Sequence, residues 1–237
     1  MSDSTADSPR PGVPRNELLP MGSPPADVSV EDSVTFVLPY DLTRKDFAVA
    51  AQAVDGLIKT LNQACASRGL DRIEELLTTP ATLTALISDV FAGALARASA
   101  CMVVNGRHNG HPDLVPRGYY PEDVVQSGAE GVEVKATKNR VSDAHGARGA
   151  WWCQVRYKVD KGAPRVGEHI PTYVDEILMA RLTKDDFRKN DRNTDTGTRT
   201  ATPAAAAVRK LEAGQVYKRA TPPAPGGRRR PASGSTS

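Results

Sequence analysis

The chain has 237 residues, a formal net charge of +3, 39% hydrophobic residues and three cysteines. That length suits one domain or two small ones, and Cys65, Cys101 and Cys153 are too few and too scattered for a disulfide framework, which argues for a reducing compartment. The N-terminal residues lack the apolar core of a signal peptide and no apolar run reads as a bilayer span, so the expected location is the cytoplasm, with no membrane partner.

Residues 1–28, rich in Ser, Pro, Asp and Gly, bury too little apolar surface to offset ordering and read as a disordered segment. Residues 33–38, SVTFVL, read as a short strand or an extended lead-in stopped by Pro39. The pattern then turns helical. Thr43 with Asp46 three residues on is an N-terminal capping pair. Phe47, Ala50, Ala51, Val54, Leu57, Ile58 and Leu61 follow at three and four spacing, and Gly69 supplies a stop. DRIEELL, residues 71–77, reads as a second, short helix. Thr79-Pro80 starts a third, with Leu83, Leu86, Ile87, Val90, Phe91, Ala94 and Leu95 on one stripe and Asp89 off it.

After Ala100 the texture changes. CMVV, PDLV, GVEVKA and WWCQVRYKV are short and β-rich, with Gly-, Pro- and Asn-containing turns between them. YVDEILMARL, residues 173–182, fits a strand or a helix. TKDDF after it fits a short helix. In Trp151-Trp152 one ring faces in and one out, with packing the expected role of the inner one. Past Asn190 the composition is that of a flexible tail, with PAAAAVRKLEAG as a transient helix. From Asp191 onward nine Lys/Arg stand against three Asp/Glu, so the rest of the chain is slightly acidic, and any polyanion site there must be local.

The expected division is therefore a disordered segment at 1–28, a folded domain at 29–190 whose helical part covers about 43–99, and a flexible basic tail at 191–237. Helices ahead of a run of strands give an α+β or mixed α/β fold, a mixed central sheet flanked by helices.

Chemistry concentrates at three residues. Asp113 follows Pro112 and leads into an apolar pair. In GVEVKAT, Glu133 and Lys135 are two apart, hence on one face of a strand, with Val132 and Val134 on the other. If the two strands lie side by side, Asp113 meets Glu133 and Lys135. Two carboxylates are hard oxygen ligands of the kind Mg²⁺ takes, and a neighbouring lysine can hold a water or neutralise charge on a phosphate.

Pro112-Asp113 followed by Glu133-Val134-Lys135 resembles the PD-(D/E)xK nuclease superfamily, of restriction-endonuclease-like fold. The resemblance implies Mg²⁺-dependent hydrolysis of phosphodiester bonds in double-stranded DNA, as in a type II restriction enzyme or a related defence nuclease. By the same resemblance Asp113 and Glu133 bind the metal, Lys135 positions or activates the attacking water, and a homodimer is expected. Some members carry a further acid on the preceding helix, for which Asp89 is the first candidate and Glu74 or Glu75 the others. Arg107 in NGRHNG, His111 at the rim, and His145 and Arg148 in SDAHGARG are candidate DNA contacts. The other reading is a non-catalytic nucleic-acid- or protein-binding module that uses the helical region and the basic tail. Zinc is disfavoured, because the chain offers a single His-x-x-His pair, His108 and His111.

Overall fold

The computed structural model describes residues 36–144, 147–160, 172–189 and 200–220. Helix α1 spans Arg44–Ala66 and is opened by a capping box in which the Asp46 amide donates to Thr43 Oγ1 and the Asp46 carboxylate accepts from the Thr43 amide. Helix α2 is short, Ile73–Leu76, and α3 runs Pro80–Ala98. Phe47, Ala50, Val54 and Ile58 of α1 and Leu83, Ile87, Phe91 and Leu95 of α3 are buried, the stripes expected from their spacing. By length and composition α3 is apolar enough to cross a membrane, contrary to the expectation that no run is. Here its apolar side joins the core formed with α1 and the sheet.

Eight strands follow: β1 Met102–Val104, β2 Leu114–Pro116, β3 Val132–Thr137, β4 Ala150–Val159, β5 Thr172–Leu182, β6 Phe187–Lys189, β7 Ala201–Pro203 and β8 Gln215–Lys218, with helix α4, Ala205–Ala213, between the last two. Six form one sheet in the order β1-β2-β3-β4-β5-β8, and β6 pairs with β7 as a separate ribbon. All the sheet pairings are antiparallel except β3 with β4, where Glu133 stands beside Trp152 and Lys135 beside Gln154. The mixed central sheet flanked by helices is therefore present. The segment between β3 and β4 is a crossover between parallel strands and not a hairpin.

The sheet is covered on both faces. Val132, Val134, Cys153, Val155, Ile177 and Met179 pack against α1 and α3. The alternate residues Trp152, Leu178, Ala180 and Leu182 form a second core with Phe187, Ala207 and Leu211 of the C-terminal elements. Neither tryptophan faces out: Trp151 packs on the first core and Trp152 stacks near Phe187 in the second.

Two open alternatives are resolved and one expectation changes. Residues 36–38 form no strand, and the rest of SVTFVL lies outside the described residues, as does the segment 1–28. Residues 173–182 are a strand, because β5 is buried between β4 and β8. The flexible basic tail is corrected over residues 200–220. There β7, α4 and β8 pack on β5 and the second core, Lys218 pairs with Asp175 at 2.9 Å, and Arg219 pairs with the buried Asp55 of α1. Those two cations are consumed by the fold and do not form a free arm. The GGRRRP stretch lies outside the described residues.

Candidate active site

β3 is paired with β4 along its whole length but meets β2 only at Leu114 opposite Val132. β2 starts at Leu114, so beyond Val132 no strand pairs with this edge of β3, and its amides find side chains instead. The Val134 amide donates to Asp113 Oδ2 at 2.8 Å, and the Ala136 amide donates to Ser88 Oγ at 3.0 Å. Val134's carbonyl lies on the same edge, since the N–H and C=O of one strand residue point to the same side. This exposed edge forms the floor of a cleft of about 1190 Å³, lined among others by Ser88 and Asp89 of α3, Asn105 and Arg107 of the lip after β1, and Asp113 and Lys135.

Glu133 sits behind that floor, 8% exposed, with both carboxylate oxygens engaged. Oε1 is 2.6 Å from Lys135 Nζ, and Oε2 is 2.8 Å from His111 Nδ1. Burial opposes its ionisation, but the His111 bond and the Lys135 charge win and hold its carboxyl down at about 2. A carboxylate only accepts, so His111 Nδ1 carries the hydrogen. Asp113 moves the other way. Burial and the Glu133 charge push its carboxyl up to about 6, against the pull of Lys135 and the Val134 amide. Burial also works against the Lys135 ammonium, but Glu133 and Asp113 overcome it and keep the group above its ordinary value. At neutral pH the site thus holds a crowded carboxylate pair beside a protonated lysine. Asp89, exposed on α3, is near enough to add to the field at Lys135.

The lip is built by one buried asparagine. Asn105 Nδ2 donates to the Pro112 and Val125 carbonyls, and its Oδ1 accepts from the Arg107 and Val125 amides. All four of its hydrogen-bonding sites are used. On the far side of β3, the buried Gln154 donates to the Arg140 carbonyl at 2.5 Å and fixes the segment that leaves the strand.

The structure therefore brings Asp113, Glu133, Lys135 and His111 together. Arg107 lines the cleft, its Nε on Gln126 Oε1 at 2.7 Å. Arg148 is exposed ahead of β4 and does not line the cleft, and His145 lies outside the described residues. His111 is not a rim residue: it is 5% exposed and bonded to Glu133. Sequence reasoning missed that bond, and it missed Ser88 and Asn105. For Asn105 the Asn-Gly turn was a signal of sorts; a lone serine on an amphipathic helix carries none.

Whether the donors fit a metal can be judged from their chemistry. Among the described residues no cluster of three or more His, Cys, Asp and Glu side chains has metal-holding geometry. Mg²⁺ asks for less, one or two carboxylates with the remaining positions left to water and substrate. Asp113 is resisted in its ionised form partly by Glu133, and a divalent cation would relieve that repulsion. The residues fit Mg²⁺ on this ground.

The same crowding gives a prediction. Asp113 holds its proton more tightly folded than unfolded, so its contribution to stability is complete below its unfolded value of about 3.9 and is lost as pH rises through about 6. At pH 8 the ionised group costs roughly 1–3 kcal/mol of folding. Asp113→Asn keeps an oxygen for the Val134 amide. By circular-dichroism melting without divalent metal it is expected to melt above wild type at pH 8, with the advantage shrinking toward pH 4. A lower melting point at pH 8 contradicts the assignment.

No family model matches the chain, and no curated protein does. Among solved structures the chain is similar to the tetrameric restriction endonuclease SfiI bound to cognate DNA, with 11% identity and a TM-score of 0.35 over 70% of this chain and 77% of that one. A likeness at that level carries no argument about the site or its chemistry.

Proposed function

We propose that the protein is a Mg²⁺-dependent endonuclease of the PD-(D/E)xK type that hydrolyses phosphodiester bonds in double-stranded DNA. The observation that carries this reading is Asp113 and Lys135 at the floor of a cleft on the open edge of β3, with the Glu133 carboxylate buried directly behind them and bonded to Lys135. A structural ion pair needs one carboxylate for one lysine; a second carboxylate beside it, held against ionisation by burial and by Glu133, supports a cation-site reading.

When bound, Mg²⁺ supplies a more acidic water and neutralises charge on the phosphate. Asp113 and Glu133 would hold it, with Val134's carbonyl on the same edge. Lys135, a three-hydrogen donor kept charged by its neighbours, orients a water or donates to a phosphate oxygen as negative charge grows there. Protonated, it does not serve as the base. Arg107 and Lys138, which both line the cleft, offer cations to the flanking phosphates.

The test uses purified full-length protein and supercoiled plasmid. Nicked or linear product is expected with Mg²⁺, none with chelator, and none with Asp113→Ala. Cleavage that survives Asp113→Ala, or salt-sensitive DNA binding that ignores Mg²⁺ and yields no product, overturns the proposal.

A further inference from the structure

His111 is the feature that the proposed chemistry does not use. It is buried, its Nδ1 donates to Glu133 Oε2, and its Nε2 is buried without a hydrogen-bond partner. A buried imidazole with one unmatched nitrogen is a cost to the fold, and a phenyl or aliphatic group would fill the space without it. Its backbone is tied down as firmly as its ring: the His111 amide donates to the Gln126 carbonyl, and the His111 carbonyl accepts from the Gly128 amide. One residue further on, Asn105 holds the Pro112 carbonyl. The ring is thus anchored in the lip that carries Arg107, and it reaches across to the Glu133 carboxylate.

We infer that His111 is a positioning residue, which fixes the Glu133 carboxylate through Nδ1 and makes that carboxylate and the Arg107 lip one rigid unit. Glu133 has two competing partners. Without His111 its second oxygen is free, and the carboxylate can turn fully onto Lys135, closing a bidentate pair that turns the carboxylate away from Asp113 and draws the ammonium off the cleft floor. With His111 in place, Oε1 goes to Lys135 and Oε2 stays with the imidazole, so the carboxylate plane is set before any cation arrives. The inference rests on the metal-site reading above and assigns His111 a role through Glu133, not on DNA.

Three substitutions separate this role from simple packing. The side-chain nitrogen of His111→Asn falls near the imidazole Nδ1, that of His111→Gln near Nε2, and His111→Ala removes both. The readouts are the Mn²⁺ affinity by calorimetry without DNA and the Mg²⁺ midpoint for plasmid cleavage, on variants that match wild type in melting curve and circular dichroism. His111→Ala is expected to weaken both by about 10-fold or more, the range for a residue that orients a metal ligand. His111→Asn is expected to restore most of the loss and His111→Gln little. Rescue by Gln and not Asn, or an Ala variant equal to wild type while wild type binds metal and cleaves, overturns the role of His111 and leaves the nuclease reading intact. A wild type that binds no divalent cation overturns both. If the Ala variant does not fold, the Asn-against-Gln comparison decides alone.

Discussion

Lys135→Ala is expected to abolish measurable plasmid cleavage, a loss of about 10²–10⁴-fold in single-turnover rate, while leaving divalent-metal binding largely in place. The separation follows from where the lysine sits. Its Nζ is 2.6 Å from Glu133 Oε1, yet Glu133 keeps its second partner in His111, so the carboxylate is not stranded when the ammonium goes. Metal affinity should even rise, because a positive charge beside Asp113 and Glu133 competes with a cation. What disappears is the charged donor on the cleft floor that meets the developing charge on the phosphate. Lys135→Arg is not expected to restore the rate, since a planar fork does not present donors as a compact ammonium does. A variant that loses metal binding and cleavage together would mean that Lys135 only shapes the pocket.

The second large effect is on the fold. Gly131→Ala is expected to destabilise the protein by about 3 kcal/mol or more, a drop of roughly 6–12 °C in melting temperature for a domain of this size. Gly131 has φ +135°, a conformation that L side chains rarely adopt, and a Cβ there would collide with the Leu114 carbonyl and the Pro112 ring. Its amide donates to Tyr40 Oη, which itself donates to Glu130 at 2.7 Å, while Arg181 of β5 holds the same carboxylate at 2.9 Å. The turn therefore cannot move away from the clash without breaking this three-residue clamp. Because Gly131 is two residues from Glu133 and its clash partners flank Asp113, any variant that still folds should also cleave poorly. A melting point within 2 °C of wild type by the same circular-dichroism melting would show that the turn is softer than its packing implies.

The parts of this molecule legible in the sequence are those with a local cause. The Thr43–Asp46 cap, the α1 and α3 stripes and the Gly69 stop follow from side chains within one or two turns of each other. The Asp113 and Glu133-x-Lys135 grouping was legible because strand period puts Glu133 and Lys135 on one face, and a single antiparallel contact, Leu114 with Val132, is enough to bring Asp113 alongside. Of the C-terminal elements, the helix in PAAAAVRKLEAG was legible and stands as α4, but its docking and the strands β7 and β8 were not. Short β7 and β8 have little preference of their own, and what orders them and α4 is distant: Ala207 and Leu211 against Trp152 and Leu178, and Arg219 against Asp55, 164 residues earlier. The parallel pairing of β3 and β4 has no local sign either. His111 was placed at the rim because nothing near it in the chain reveals a bond to a carboxylate 22 residues away.

The most direct measurement is a crystal grown with Mn²⁺ and examined by anomalous scattering at the manganese edge. A peak between the Asp113 and Glu133 carboxylates, with Lys135 Nζ facing it across the cleft floor and no peak in Asp113→Ala, is the result expected. A well-ordered Asp113–Glu133–Lys135 cluster with no peak at saturating Mn²⁺, from protein that also leaves plasmid intact, would contradict the metal site and the nuclease with it.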